Sequence, residues 1–115
     1  MKLSVIVPCH NEEKTVLEVL EQVKRQEGCG AQLETIVIDD GSTDRTRELL
    51  TSRPDLYARL VCLDRNRGKG MAVKAGLEVA RGDFVLFQDA DLEYDPSDYP
   101  RLVRPALALG ADVVM

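Results

Sequence analysis

Four short apolar runs, Leu3–Val7, Leu33–Ile38, Arg59–Leu63 and Phe84–Gln88, alternate with segments whose apolar residues recur at helical spacing. This alternation constrains the fold more than any other feature. Strands separated by helices of about ten to fifteen residues cannot pair as tight hairpins, so the pattern predicts an α/β fold. In it a mostly parallel sheet is built from right-handed crossovers, with helices on both faces. Pro8 should stop the first strand. Asn11 is placed to cap a helix carrying Glu12 and Glu13 in its first turn, where acids suit the positive end of the dipole. Val16, Leu17, Leu20 and Val23 give that helix its apolar face, and Gly28 and Gly30 end the unit. A second helix is expected to start at Ser42 or Thr43 and run through Leu49 and Leu50 until Pro54. A Gly-rich turn, Asn66 to Gly70, leads into a helix from about Met71 to Ala80, closed by Gly82. A last helix is expected from about Ser97 to Leu109, before the apolar run that ends at Met115.

The unusual polar residues sit at the carboxyl ends of the expected strands: Cys9 to Glu12, Asp39 and Asp40, Asp64 to Lys69, and Asp89 to Glu93. In open parallel sheets ligands bind beyond those ends, where the strand order reverses. With an order 3-2-1-4 the reversal falls between strands one and four, and the Asn11-Glu12 turn would face the Asp89-Ala90-Asp91 turn across one crevice.

The fourth strand runs directly into Asp89, Asp91, Glu93 and Asp95. Carboxylates this close repel one another and lose solvation on burial, so such a cluster lies in an open loop or around a cation. In an extended Asp-x-Asp both side chains leave the backbone on one side. That geometry suits a hard, oxygen-loving ion such as Mg²⁺ or Mn²⁺ shared with substrate phosphates. The competing reading is a helix capped by Asp95, with Pro96 in its first turn and the other acids simply solvated.

The chain of 115 residues reads as one domain, 1–115, with the 44% apolar and 30% charged composition of a globular protein. A net charge of −5 argues against a nucleic-acid partner. It also makes a bridging cation more necessary if the ligand is an anion. Cys9, Cys29 and Cys62 are an odd set without paired metal-ligand spacing, which suggests reduced thiols in a cytoplasmic protein, with Cys62 a small core residue of its strand. No apolar stretch approaches the roughly 18 residues needed to span a bilayer, and the N-terminus carries no signal-peptide pattern.

Taken together, Val5-Ile-Val-Pro-Cys-His-Asn-Glu-Glu13, Val37-Ile-Asp-Asp-Gly-Ser-Thr-Asp44, Asn66-x-Gly-Lys-Gly-x-Ala72 and Asp89-Ala-Asp91 resemble the family-2 inverting glycosyltransferases in order and spacing. Ala75-Gly76 and the Ala80-Arg-Gly82 turn fit as well. The resemblance covers essentially the whole chain and is nearest to the dolichol- or polyprenyl-phosphate mannosyl- and glucosyltransferases. It implies a Rossmann-like GT-A fold that binds a nucleotide-diphosphate sugar. By position, Pro8, His10, Asn11 and Glu12 would line the base and ribose pocket with Ile38 and Asp40. His10 stands where the family often has an aromatic ring; a surface loop histidine is the plainer reading. Asp40 could accept from a base N–H or simply serve its Asp-Gly turn. Lys69 and Gly70 could approach a ribose or phosphate, or Gly68 and Gly70 could only supply a tight turn. Asp89, Ala90 and Asp91 would meet the diphosphate, Asp89 and Asp91 would hold the Mg²⁺ or Mn²⁺, and Glu93 would complete its protein ligands. Glu93 departs from the Gln common in relatives and adds a negative charge. Asp91 carries the catalytic role in this reading, because the ion neutralises the charge that grows on the departing nucleoside diphosphate.

The resemblance implies a donor of the GDP-mannose or UDP-glucose type and a polyprenyl or dolichyl phosphate acceptor, used by a cytoplasmic protein peripheral to the membrane face. An acceptor phosphate is already an anion, whereas a hydroxyl acceptor would need a general base. Such a base usually lies in the half of the fold that follows a sequence like this one. The chain therefore reads as the nucleotide-binding half of an enzyme, or as a non-catalytic nucleotide-sugar-binding module. A haloacid-dehalogenase-type phosphatase is disfavoured because its nucleophilic Asp lies on the first strand. A receiver domain is disfavoured because its acidic pair follows strand one, and here Asp39-Asp40 follows strand two.

Overall fold

The computed structural model describes residues 2–26 and 32–90. The expectations for Gly28, Cys29, Gly30, Asp91, Glu93, Asp95 and the last helix and apolar run fall outside the described residues. The elements are β1 (Lys2–Cys9), α1 (Val16–Lys24), β2 (Gln32–Asp39), α2 (Thr46–Ser52), a 3₁₀ turn (Pro54–Leu56), β3 (Arg59–Cys62), α3 (Lys69–Val79) and β4 (Phe84–Phe87). All pairings are parallel and the order is β3-β2-β1-β4.

Alternation along the strands divides the core in two. Leu3, Val5, Val7 and Cys9 of β1 pack with Val16, Val19, Leu20 and Val23 of α1 and with Leu50 of α2. Ile6 of β1 and Ile36 and Ile38 of β2 face Ala72, Ala75 and Val79 of α3. Thus α1 and α2 cover one face and α3 the other. The path β1 to β2 to β3 moves one way across the sheet, and the step to β4 returns past β1. A connection of unchanged hand must then place its helix on the opposite face, as α3 does.

Several boundaries differ from expectation for identifiable reasons. β1 continues through Pro8, which pairs in register with Ile38. The carbonyl of Ile6 accepts from Gln88 N–H on the β4 side, whereas the carbonyl of Cys9 accepts from Asp40 N–H on the β2 side. By alternation the Pro8 nitrogen faces β4, so the proline ends only that ladder. Asn11 does not cap α1. It adopts a left-handed conformation with φ 53°, and its Oδ1 accepts from the backbone N–H groups of Thr43 (2.8 Å) and Asp44 (3.3 Å). α1 instead follows a turn closed on the Glu12 carbonyl. α2 starts later than expected because Ser42 and Thr43 are engaged before it: Ser42 N–H donates to Asp39, and its hydroxyl accepts from Asn11 N–H. Cys62 is exposed, since β3 is an edge strand; of the two described thiols Cys9 is the buried one.

At the amino ends of the strands, half-buried Glu34 accepts from the Ser4 hydroxyl (2.8 Å) and Arg81 N–H (2.9 Å), with the Lys2 ammonium at 3.2 Å. Ser4 in turn accepts from Gly82 N–H at 2.8 Å. This cluster fixes the turn from α3 into β4.

Candidate functional site

The carboxyl ends of β1, β2 and β4 and the first turn of α3 surround a cleft of about 390 Å³. Its wall includes Pro8, His10, Glu12, Asp40, Lys69, Asp89 and Ala90, all singled out in the sequence, together with Cys9, Asn66, Gly68 and Ala72. Asn11 and Gly70 are exposed beyond this lining. The Ile38 side chain is fully buried beneath the cleft, in the core facing α3. Asp91 and Glu93 lie outside the described residues.

Asp39 and Asp40 end β2 on opposite faces. Asp39 is fully buried and receives Arg47 Nε at 2.6 Å, while the same guanidinium donates to the Leu63 carbonyl at 2.9 Å. It is a structural ion pair joining β2, α2 and the end of β3. Asp40, 4% exposed, accepts from Arg67 N–H (2.8 Å) with one oxygen and from Gly68 N–H (2.9 Å) with the other. Asp40 therefore clamps the Gly-rich loop against the cleft. The adjacent Gly41 has φ 66°, and a Cβ there would collide with the backbone of Arg65 and Asn66. Only glycine permits both that conformation and that approach.

His10 crosses the cleft wall with both ring nitrogens engaged. Its Nδ1 lies 2.8 Å from the Asp40 carbonyl, which can only accept, so Nδ1 carries the proton. Nε2 is then the acceptor for the Asn66 amide at 3.2 Å. Asn66 also accepts from Gly68 N–H at 3.0 Å. The Asn66-x-Gly68 spacing, an Asx-turn pattern, was the available sign of this role. The Cys9 thiol at the cleft wall is pushed well above its usual value by burial, with the Asp39 and Glu12 carboxylates adding to the effect. Its Sγ donates to the Ile38 carbonyl at 3.4 Å, which ties this part of the wall to β2.

β4 delivers Asp89 and Ala90 to the cleft. The Thr15 hydroxyl donates to the Ala90 carbonyl at 2.6 Å, and the buried Gln88 amide donates to the Asp89 carbonyl at 3.1 Å. Neither support was visible in sequence, because Thr15 belongs to none of the four motifs and Gln88 reads as the end of a strand. The Asp89 carboxylate, 18% exposed, meets Lys69 Nζ at 2.5 Å. This ammonium is a stand-in cation, and the pairing shows that the carboxylate can receive positive charge at the cleft. Among the described residues no three His, Cys, Asp or Glu side chains form a metal-binding group. A single carboxylate still fits an ion of the Mg²⁺ type, which keeps several waters and shares ligands with phosphates. No helix among the described residues is long and apolar enough to cross a membrane.

Comparison with known proteins gives a concordant result. Residues 4–115 match the model of glycosyl transferase family 2. An undecaprenyl-phosphate 4-deoxy-4-formamido-L-arabinose transferase of Pectobacterium carotovorum is 43% identical over 118 residues, covering 97% of this chain and 35% of the relative. The chain thus spans about a third of the length of the curated relatives it matches. A mannosyltransferase from Pyrobaculum calidifontis, solved with GDP-Man and Mn²⁺, superposes with a TM-score of 0.73 at 34% identity, over 88% of this chain and 31% of that one. Glucosyl-3-phosphoglycerate synthase from Mycobacterium tuberculosis, solved with UDP, gives 0.75 at 32% identity, over 92% of this chain and 40% of that one. A parallel sheet with its cleft at the strand ends, the four motifs around it and these matches together make the chain a member of glycosyl transferase family 2.

Proposed function

We propose that this chain is the donor-binding part of a glycosyltransferase that takes a sugar from a nucleoside diphosphate and passes it, with inversion, to a polyprenyl phosphate at a membrane surface. The observation that carries the reading is the charge of the cleft. Among the described residues, Glu12, Asp40 and Asp89 line it against one ammonium, Lys69. An anionic diphosphate entering such a wall requires an added cation. Asp89, with Asp91 and Glu93 following it in sequence, would hold that Mg²⁺ or Mn²⁺, whose chemistry is to neutralise charge on the leaving diphosphate.

The chain's own residues have distinct tasks in this reading. His10, held at both nitrogens, offers a fixed ring to the base. Pro8, Glu12 and Asp40 frame the base and ribose, and Asp40 also holds the loop that closes the pocket. Asn11 positions the β2 loop behind them, and the Ile38 side chain supports the floor. Gly70, in the first turn of α3, lets the helix start approach the phosphates, and Ala90, held by the Thr15 hydroxyl, fixes the chain beside Asp89. One displacement at the anomeric carbon, with the acceptor phosphate oxygen entering opposite the departing diphosphate, inverts the centre and needs no strong base. The resemblance of relatives named as undecaprenyl-phosphate sugar transferases supports the acceptor class.

The test is thermal stability with GDP or UDP, each with and without Mn²⁺, since a ligand that binds only the folded state raises the melting temperature. A diphosphate should raise it more with Mn²⁺ present, and Asp91→Ala should remove that increment. An increment unchanged in Asp91→Ala removes the assigned metal role. Binding of a sugar nucleotide by the full protein without transfer to undecaprenyl phosphate would favour a non-catalytic module.

A further inference from the structure

Lys69 occupies the first position of α3, where the helix dipole disfavours positive charge. Its side chain nevertheless spans the cleft to Asp89, with Nζ 2.5 Å from Oδ1. The pair is unevenly open: the Lys69 side chain is 64% exposed and that of Asp89 18%. Ion pairs with so much water access contribute little to folding stability, so this contact is suited to exchange. Both partners line the same cleft, and the flexible lysine stem can carry its charge to a new anion there.

We propose that Lys69 is an exchangeable counter-ion: it neutralises Asp89 in the ligand-free protein and transfers to the donor diphosphate when a divalent cation takes the carboxylate. The proposal rests on the reading of Asp89 as a metal ligand. Two cations cannot both lie against one carboxylate oxygen without strong mutual repulsion. The metal therefore competes with Lys69 when it binds alone. A diphosphate removes the competitor by giving the ammonium another partner. Metal and diphosphate then bind with positive coupling, and each must raise the affinity of the other by the same factor. Lys69 acts in this scheme through Asp89 and the diphosphate, as a positioning and charge-compensating residue.

The experiment is Mn²⁺ titration of the full protein, with free ion read by electron paramagnetic resonance, in the absence and presence of GDP or UDP. Wild type is compared with Lys69→Met, Lys69→Arg and Asp89→Asn. Lys69→Met should bind Mn²⁺ alone at least about fivefold more tightly than wild type, from loss of both the competing pair and the repulsion. The same variant should show a smaller gain in Mn²⁺ affinity on adding diphosphate. Lys69→Arg, which keeps the charge, should stay near wild type without nucleotide, and it guards against a general effect of altering the helix start. If Mn²⁺ binding depends on Asp89 but Lys69→Met matches wild type, the exchange is overturned while the metal site stands. If Asp89→Asn binds Mn²⁺ as well as wild type does, both the metal reading and the exchange fall.

Discussion

Asp39 and Asp40 are identical in type and adjacent in sequence, yet they perform unrelated work. A strand sends consecutive side chains to opposite faces, so Asp39 meets Arg47 under α2 and Asp40 meets the loop before α3. Both oxygens of Asp40 accept backbone N–H groups, an arrangement that only a carboxylate satisfies fully. Asp40→Asn sets an amide N–H against one of those donors. It should cost about 1–3 kcal/mol, and hydrogen exchange at Arg67 and Gly68 should accelerate relative to core amides. Unchanged protection at those two amides would remove the clamp from the account of the site. The acidity and Asp-Gly turn of this pair were legible in sequence. Its division of labour was not, because neither Arg47 nor the Arg67-Gly68 backbone is near it along the chain.

At the level of elements, α3 is held unusually close to the sheet. A Cβ at Gly76 would lie 2.7 Å from Cγ2 of Ile6, a residue with no exposed surface on the central strand. Gly76→Ala should therefore overpack this face and destabilise the protein by about 1–3 kcal/mol. The urea midpoint should fall with the slope unchanged; equal or greater stability would show that α3 has room to shift. The alternation of apolar runs and helical spacing was enough to identify every described strand and helix. Boundaries were less legible. Pro8 ends one ladder and not the other, and Asn11, Ser42 and Thr43 bond to one another between loops instead of capping their own helices. Local propensity describes a residue's neighbours in sequence, whereas these residues chose partners across the sheet.

Viewed whole, the molecule separates its support from its cleft. The Glu34 cluster sits at the amino ends of the strands and the cleft at their carboxyl ends. Burial raises the Glu34 carboxyl, but hydrogen bonds from Arg81 N–H, the Ser4 hydroxyl and the Lys2 ammonium outweigh it and hold the group below its usual value. A carboxyl lowered in the folded state adds stability above its unfolded pKa, about 4.3 for Glu, and loses it as pH falls through the folded value. Glu34→Gln should lower stability near neutral pH by about 1 kcal/mol. It should also flatten the acid loss below about pH 4.3. Diphosphate affinity should stay the same, measured by calorimetry at neutral pH; a parallel loss of affinity would mean the two ends are coupled.

By itself, the sequence determined the α/β class and the congregation of polar groups at the carboxyl ends of the strands; the order 3-2-1-4 was a supposition there, which the structure bears out. The class and the congregation follow from periodicity and chain connectivity, which are local properties subject to one handedness rule. Tertiary structure alone decided which carboxylate faces Arg47, which clamps the loop, which thiol is buried, and that Lys69 meets Asp89 across the cleft. Those pairings join residues distant in the chain, and only the approach of separate strand ends in space brings their charges and hydrogen-bonding groups within reach.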